Sequence, residues 1–288
     1  MGIFSGLDIF GLGGLAGADI DIFESEQEEG KKAPEAKPAR VEQPMPGEAD
    51  LVFAKRYKCP CCDKEFKAKT VKTGKVKLVD MDMDLRPKYS GMDPLKYDVI
   101  LCPHCGYAAL SRFFQYLTGG QAKLIGINIS QAFKYTEKEG NTYTYDQAIE
   151  HYKLALANAI VKKAKASERA YICLKLGWVI RGKEESLDSS EPDHDVLLEH
   201  LKADEDEALK NAFEGFQSAL MAEPFPMCGM DEITVDYIIA VLAYRFDKLD
   251  VSAKLVSSII VSNMANKRMK DKARELKDMI VARIKSRK

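Results

Sequence analysis

The chain has 288 residues, 46% of them hydrophobic and 30% charged, with a formal net charge of −1 and seven cysteines. That size and apolar content suffice for one substantial core plus a small metal-stapled module. No apolar run is long enough for a membrane span and no charged n-region precedes a cleavable apolar stretch, so the expectation is a cytoplasmic protein in a reducing compartment, where disulfides are disfavoured.

The near-neutral total conceals blocks of one sign. Residues 1–50 hold eleven acids against four bases, and residues 55–77 hold nine Lys or Arg against Asp63 and Glu65. Residues 184–207 carry eleven acids, and residues 266–288 carry ten bases and three acids. Such blocks attract each other as readily as an outside partner.

Residues 1–50 read as a flexible acidic segment and linker. Gly-Leu-Asp-Ile-Phe at 6–10 and Asp-Ile-Asp-Ile-Phe at 19–23 have the look of a short docking segment, followed by a Glu-, Lys- and Pro-rich linker. Gly11-Leu12-Gly13-Gly14-Leu15-Ala16 echoes a dinucleotide-binding loop only superficially, because no strand, helix and second strand frame it.

Residues 51–110 read as a zinc-ribbon-like module. Cys59-Pro60-Cys61-Cys62 and Cys102-Pro103-His104-Cys105 are two knuckles that each aim two thiolates at one ion. Cys59, Cys62, Cys102 and Cys105 then form a closed tetrahedral sulfur shell with no open position for water or substrate, the pattern of a structural site. Cys61 is a spare third thiol, and recruiting it or His104 would place adjacent side chains on one ion at awkward angles. Zinc is favoured as the commoner structural ion, while iron in a rubredoxin-like site suits four thiolates too. The 39 residues between Cys62 and Cys102 contain two alternating pieces, Lys75–Leu78 and Val79–Leu85, whose change of phase predicts a bulge or turn. Asp80, Asp82 and Asp84 are expected on one solvated strand face. Lys55, Arg56, Lys58, Lys64, Lys67, Lys69, Lys72, Lys75 and Lys77, with Tyr57 and Phe66 interleaved, make the module basic.

Residues 111–288 read as almost wholly helical. Tyr107 to Leu117 is expected to be a helix interrupted by Gly119-Gly120, with a second helix to about Lys134. Ala148, Tyr152 and Ala155, then Ala212, Phe216 and Ala219 with Pro224 after them, have the spacing of the second helix of a tetratricopeptide unit. Leu176-Gly177-x-x-Ile180 and Leu242-Ala243-x-x-Phe246 fit the first helix, where the small residue admits close packing. Ala253, Ser257 and Ile260 are read as an eroded third second helix. A short solenoid or a plain antiparallel bundle accounts for this half. The acidic insertion carries Leu197, Leu198, Leu201 and Leu209 and is expected to be partly helical with its charges outward. His194 and His200 lie about 120° apart around such a helix, so a second metal site there is disfavoured. His151 is placed at a rim and Cys173 in the core; Trp178 and Cys228 carry no resolvable signal. In the last helix, Met269, Ala273, Leu276, Ile280 and Ile284 form an apolar stripe among bases, as in a capping helix.

Cys-Pro-Cys-Cys-Asp-Lys-Glu-Phe (59–66), Asp-Met-Asp-Leu-Arg-Pro (82–87), Asp-Pro-Leu-Lys-Tyr-Asp-Val (93–99) and Cys-Pro-His-Cys-Gly-Tyr-Ala-Ala (102–109) resemble the bacterial domain-of-unknown-function family 2225, as do residues 168–181 and 237–254. The resemblance covers roughly residues 55–265. It implies a cysteine-rich amino-terminal part fused to tetratricopeptide-like helices, with no established activity, and carries over Cys59, Cys62, Cys102 and Cys105 as ligands. Asp63 stands where the first knuckle commonly has glycine, and Asp tolerates the left-handed conformation needed there.

Four histidines, no nucleophile elbow, no phosphate loop and a closed metal shell name no active site. The leading expectation is therefore a non-enzymatic interaction scaffold that takes a protein or peptide partner at a helical groove. Nucleic-acid binding through the basic module is the alternative, and a thiol or metal sensor acting through Cys61 is the third.

Overall fold

The computed structural model describes residues 46–135, 140–190 and 193–287, so the two Asp-Ile-Phe pieces, the glycine run at 11–16 and the linker as far as residue 45 lie outside the described residues. Three two-stranded antiparallel hairpins come first: β1 (Val52–Lys58) with β2 (Glu65–Val71), β3 (Leu78–Met81) with β4 (Pro87–Tyr89), and β5 (Val99–Leu101) with β6 (Ala108–Leu110). The register of the middle hairpin shifts between Leu78 and Asp80, where the sequence alternation changes phase. Seven α-helices follow among the described residues: α1 (Gly119–Ile125), α2 (Tyr145–Val161), α3 (Ala166–Ser186), α4 (His194–Ala222), α5 (Glu232–Arg245), α6 (Leu249–Val261) and α7 (Lys267–Lys285).

The segment from Tyr107 to Leu117 is not a helix. Ala108–Leu110 is the return strand of the second knuckle, and the chain then turns until α1. The knuckle decides this. Its turn brings residues 108–110 beside β5, whose backbone groups need partners, and that pairing outweighs the helical propensity of Ala108, Ala109 and Leu110.

Helices α1, α2, α5 and α7 each start at a side chain that satisfies an otherwise unpaired backbone N–H. The Thr144 hydroxyl accepts from Gln147 N, the Asp231 carboxylate from Thr234 N and the Asn266 side-chain oxygen from Met269 N. Residue pairs with a nearly constant index sum establish that α3 and α4 run antiparallel along their lengths. A Cβ on Gly215 would lie 2.9 Å from Ala170 Cβ and one on Gly177 2.7 Å from Leu209 Cδ2, and Arg181 bonds Glu205. The missing Cβ atoms are what let the two backbones approach. α2 and α3 are antiparallel as well, with Asp146 at the start of one beside Lys183 at the end of the other.

Helices α3 and α5 are apolar around most of their circumference and are correspondingly buried, Ile172 to Ile180 and Tyr237 to Ala243 being almost wholly enclosed. The predicted triples Ala148, Tyr152, Ala155 and Ala212, Phe216, Ala219 are all within 1% of full burial. In α6 the stripe is displaced by one residue from the predicted Ala253, Ser257 and Ile260. Ser252, Val256 and Ile259 face inward, and the Ser252 hydroxyl donates to Ala240 O at 2.7 Å. That bond satisfies a buried polar group and frees a small side chain to sit against α5. On α7, Ala273, Leu276 and Ile280 are buried against α5 and α6. The core does not separate hairpins from helices: Leu95, Val99, Ala108 and Leu110 share one cluster with the interior faces of α2 to α5. No helix among the described residues is long and apolar enough to cross a membrane.

Candidate metal centre

The first knuckle closes the tip of β1–β2 and the second closes the tip of β5–β6, and their backbones repeat one another. Cys59 N donates to Lys64 O and Asp63 N to Cys59 O, at 3.0 and 2.9 Å; Cys102 N donates to Tyr107 O and Gly106 N to Cys102 O, at 2.8 and 3.0 Å. Asp63 (φ +60°) and Gly106 (φ +74°) occupy the same left-handed position in the two turns. At Gly106 the absence of a side chain is mandatory, because a Cβ would meet the Phe133 ring at 2.5 Å.

The two tips bring Cys59, Cys62, Cys102 and Cys105 together, with all four Sγ atoms within 4.8 Å of one another. Cys59 to Cys105 is 3.6 Å and Cys62 to Cys102 is 3.7 Å. A tetrahedral ion with metal–sulfur distances of about 2.3 Å requires sulfur separations of about 3.8 Å, so the shell fits such an ion. Contact with Cys105 and Cys59 holds Cys102 low, while contact with Cys102 together with burial raises Cys105 and Cys59.

Cys61 points elsewhere. Its Sγ donates to Ala122 O of α1 at 3.7 Å, its N–H donates to Cys59 Sγ, and burial pushes its thiol up. His104 is exposed, with Nε2 3.2 Å from Glu65 O. Rings of Tyr57, Phe66, Tyr107 and Phe114 pack against one another at centroid separations of 5.0–6.0 Å, in one core cluster with Cys59, Cys102 and Cys105. Asn158 of α2 is fully buried and donates from Nδ2 to Gly106 O at 3.0 Å, fastening the second knuckle to the helices.

Other predicted positions resolve differently. Asp80 is exposed, but Asp82 and Asp84 lie beyond the end of β3 in the turn to β4, where Leu85 takes a left-handed φ of +69°. They are not a solvated face. Arg181 of α3 bonds Asp82 at 3.0 Å and Asp84 at 2.7 Å, and Trp178 Nε1 donates to Asp84 at 3.0 Å. Arg86 grips Glu185 with two bonds of 2.8 and 3.0 Å. Burial lowers Arg181 but Asp84 and Glu205 outweigh it and raise it; burial raises Asp82 but Lys88 and Arg181 outweigh it and lower it. Residues 194–207 of the acidic insertion form the first half of α4, and one of their charges points inward: Glu205, 3% exposed, binds Arg181 and Arg245 of α5. Trp178, Arg181 and Glu205 had no motif to mark them, since each acts through partners far away in the chain.

His194 Nδ1 lies 3.1 Å from Asp188 O, and among the described residues the cysteine quartet is the group with metal-ligand geometry. Cys173 is buried in α3 and burial raises its thiol to about 11, which removes nucleophilic character.

A family model described as "Uncharacterized protein conserved in bacteria (DUF2225)" matches residues 52–280. No curated protein and no solved structure matches the chain.

Proposed function

The chain belongs to this uncharacterised bacterial family, and we propose that it works as a non-enzymatic interaction scaffold in which a structural zinc ion fixes the hairpins and the helices hold a peptide. One observation carries the reading. A groove of about 260 Å³ runs between α2 and α4, with Cys173, Leu176 and Ile180 of α3 as its floor and Leu156 and Ala208 in its walls. Asp204 and Glu207 stand exposed on the α4 side. Lys153 of α2 also lines the groove and pairs with Asp204 at 3.6 Å, and an apolar floor beneath a rim of both charge signs suits a peptide with an aliphatic anchor flanked by charged residues. The closed sulfur shell suits a structural ion rather than a catalytic one.

The test is capture of partners by the full chain from lysate of its native cells, beside Leu156→Glu and Asn211→Arg. Loss of the same protein partner in both variants, with metal content and Tm retained, supports the scaffold. Partners retained by both variants remove it.

A further inference from the structure

We propose a binding site for a small, uncharged and largely apolar molecule, carrying one hydroxyl or N–H donor, in the cleft between the middle hairpin and helices α3 and α5. The cleft has a volume of about 610 Å³. Packed interiors leave few voids larger than a water molecule, whereas small-molecule sites measure about 300–1,000 Å³. The hairpin contributes Leu78, Met81, Pro87 and Tyr89, and Leu85 comes from the turn between its strands. The helices contribute Trp178 of α3 and Thr234 and Ile238 of α5. Leu78 is 45% exposed here, an apolar side chain that the fold itself leaves uncovered.

The charged residues among its lining are Asp98 and Lys175, and they neutralise each other. Lys175 Nζ bonds the Asp98 carboxylate and lies 4.5 Å over the Tyr171 ring. A buried ion pair is costly to desolvate and is weak support for stability by itself. At a cleft it sets the net charge of the lining to zero, so a ligand of either charge would lose hydration without gaining a counter-ion. Asp98 also accepts from the Ser111 hydroxyl. A carboxylate has about four lone-pair sites, so these two bonds leave acceptor capacity for a donor on the ligand, and the ion pair stays intact. Trp178 likewise keeps its bond to Asp84 and serves the site as apolar surface alone. An extended peptide would bring backbone groups that this mostly apolar lining leaves unpaired, which favours a small molecule. The cleft shares no lining residue with the groove between α2 and α4, so either reading survives failure of the other.

Trp178 is the only tryptophan of the chain, so its fluorescence reports on the cleft directly. The full chain is titrated with N-phenylnaphthylamine, which is uncharged and has one N–H, and with anilinonaphthalenesulfonate, the same body carrying a negative charge. The neutral probe should saturate at about one molecule per chain and quench Trp178 by energy transfer, and the sulfonate should bind at least about tenfold more weakly. Thr234→Phe, which fills the cleft, and Leu78→Asp, which charges its exposed edge, should each weaken the neutral probe about tenfold or more. Asp98→Asn unmasks the Lys175 cation and should move the preference toward the sulfonate by about tenfold. Should that variant lose its fold, judged by Tm, Leu78→Lys replaces it, with the same shift expected. Absence of saturable quenching by the neutral probe overturns the proposal, as does unchanged binding by Thr234→Phe or a sulfonate that binds as tightly as the neutral probe. So does a dimer that Leu78→Asp converts to monomer in light scattering, because the cleft edge would then be a contact between copies of this chain.

Discussion

Glu205→Gln tests whether the charge network between the middle hairpin and the helices is structural. The Glu205 carboxylate is buried and accepts from Arg181 Nε at 2.7 Å and from Arg245 Nη1 and Nη2 at 2.9 and 2.6 Å. Removing one partner of a buried charge pair costs about 3–5 kcal/mol. Each guanidinium retains another carboxylate, Asp82 and Asp84 for Arg181 and Asp206 for Arg245, which favours the lower end, about 3 kcal/mol. For a chain of this size that is a fall in Tm of about 6–12 °C. Urea denaturation followed by circular dichroism reads the loss directly, and a double-mutant cycle with Arg245→Gln should return a coupling of at least about 1 kcal/mol. A loss below about 1 kcal/mol, the range of a surface ion pair, would refute the reasoning, because the carboxylate would then not be working in a desolvated site.

The purified chain should hold about one zinc per molecule by elemental analysis, and Cys62→Ser should lose it together with stability. Gly106→Ala should cost at least about 2 kcal/mol, through left-handed strain and collision with Phe133, while Asp63→Gly at the equivalent turn should leave stability unchanged or raise it by up to about 1 kcal/mol; paired Tm measurements decide. Burial and Glu205 raise Glu184 to about 6, and burial and Glu232 raise Asp236 to about 6. Both groups bind their proton more tightly in the folded chain, so the stability they contribute is complete below the ordinary carboxylate range and is lost as pH rises through about 6. Glu184→Gln with Asp236→Asn should therefore gain in urea midpoint, relative to the parent, on going from pH 4.5 to pH 7; an unchanged difference would contradict the assignment.

The sulfur quartet was legible because knuckle chemistry is local: the spacing of Cys59 to Cys62 and of Cys102 to Cys105 fixes two turns without reference to the rest of the chain. The left-handed turn at Asp63 and the small, large, small stripes of α2 and α4 were legible for the same reason, since each is set by neighbours within one or two helical turns. The reading failed where a distant partner decides. Ala108 to Leu110 has the composition of a helix and becomes a strand because β5 offers it hydrogen bonds. Asp82 and Asp84 alternate as an exposed strand would, and are drawn inward by Arg181 and Trp178, about a hundred residues later in the chain. The α6 stripe differs by one residue because a serine hydroxyl, polar in any sequence pattern, finds the Ala240 carbonyl and behaves as a core residue.

An ion shared by the two knuckles would also tie Cys62 to Cys102 and so close a ring around the 39 residues between them. Closing a ring of that size removes about 3–4 kcal/mol of chain entropy from the unfolded state. The β3–β4 hairpin lies inside the ring, and its Asp82, Asp84 and Arg86 are bolted to Arg181 and Glu185 of α3. The ring therefore cannot slacken without stripping charges from α3, and α3 cannot move away without pulling on the ring. Chelation should then propagate into the helices, so that hairpins and helices melt in a single cooperative transition and the metal acts on the folding of α3 to α5, elements that supply none of its ligands.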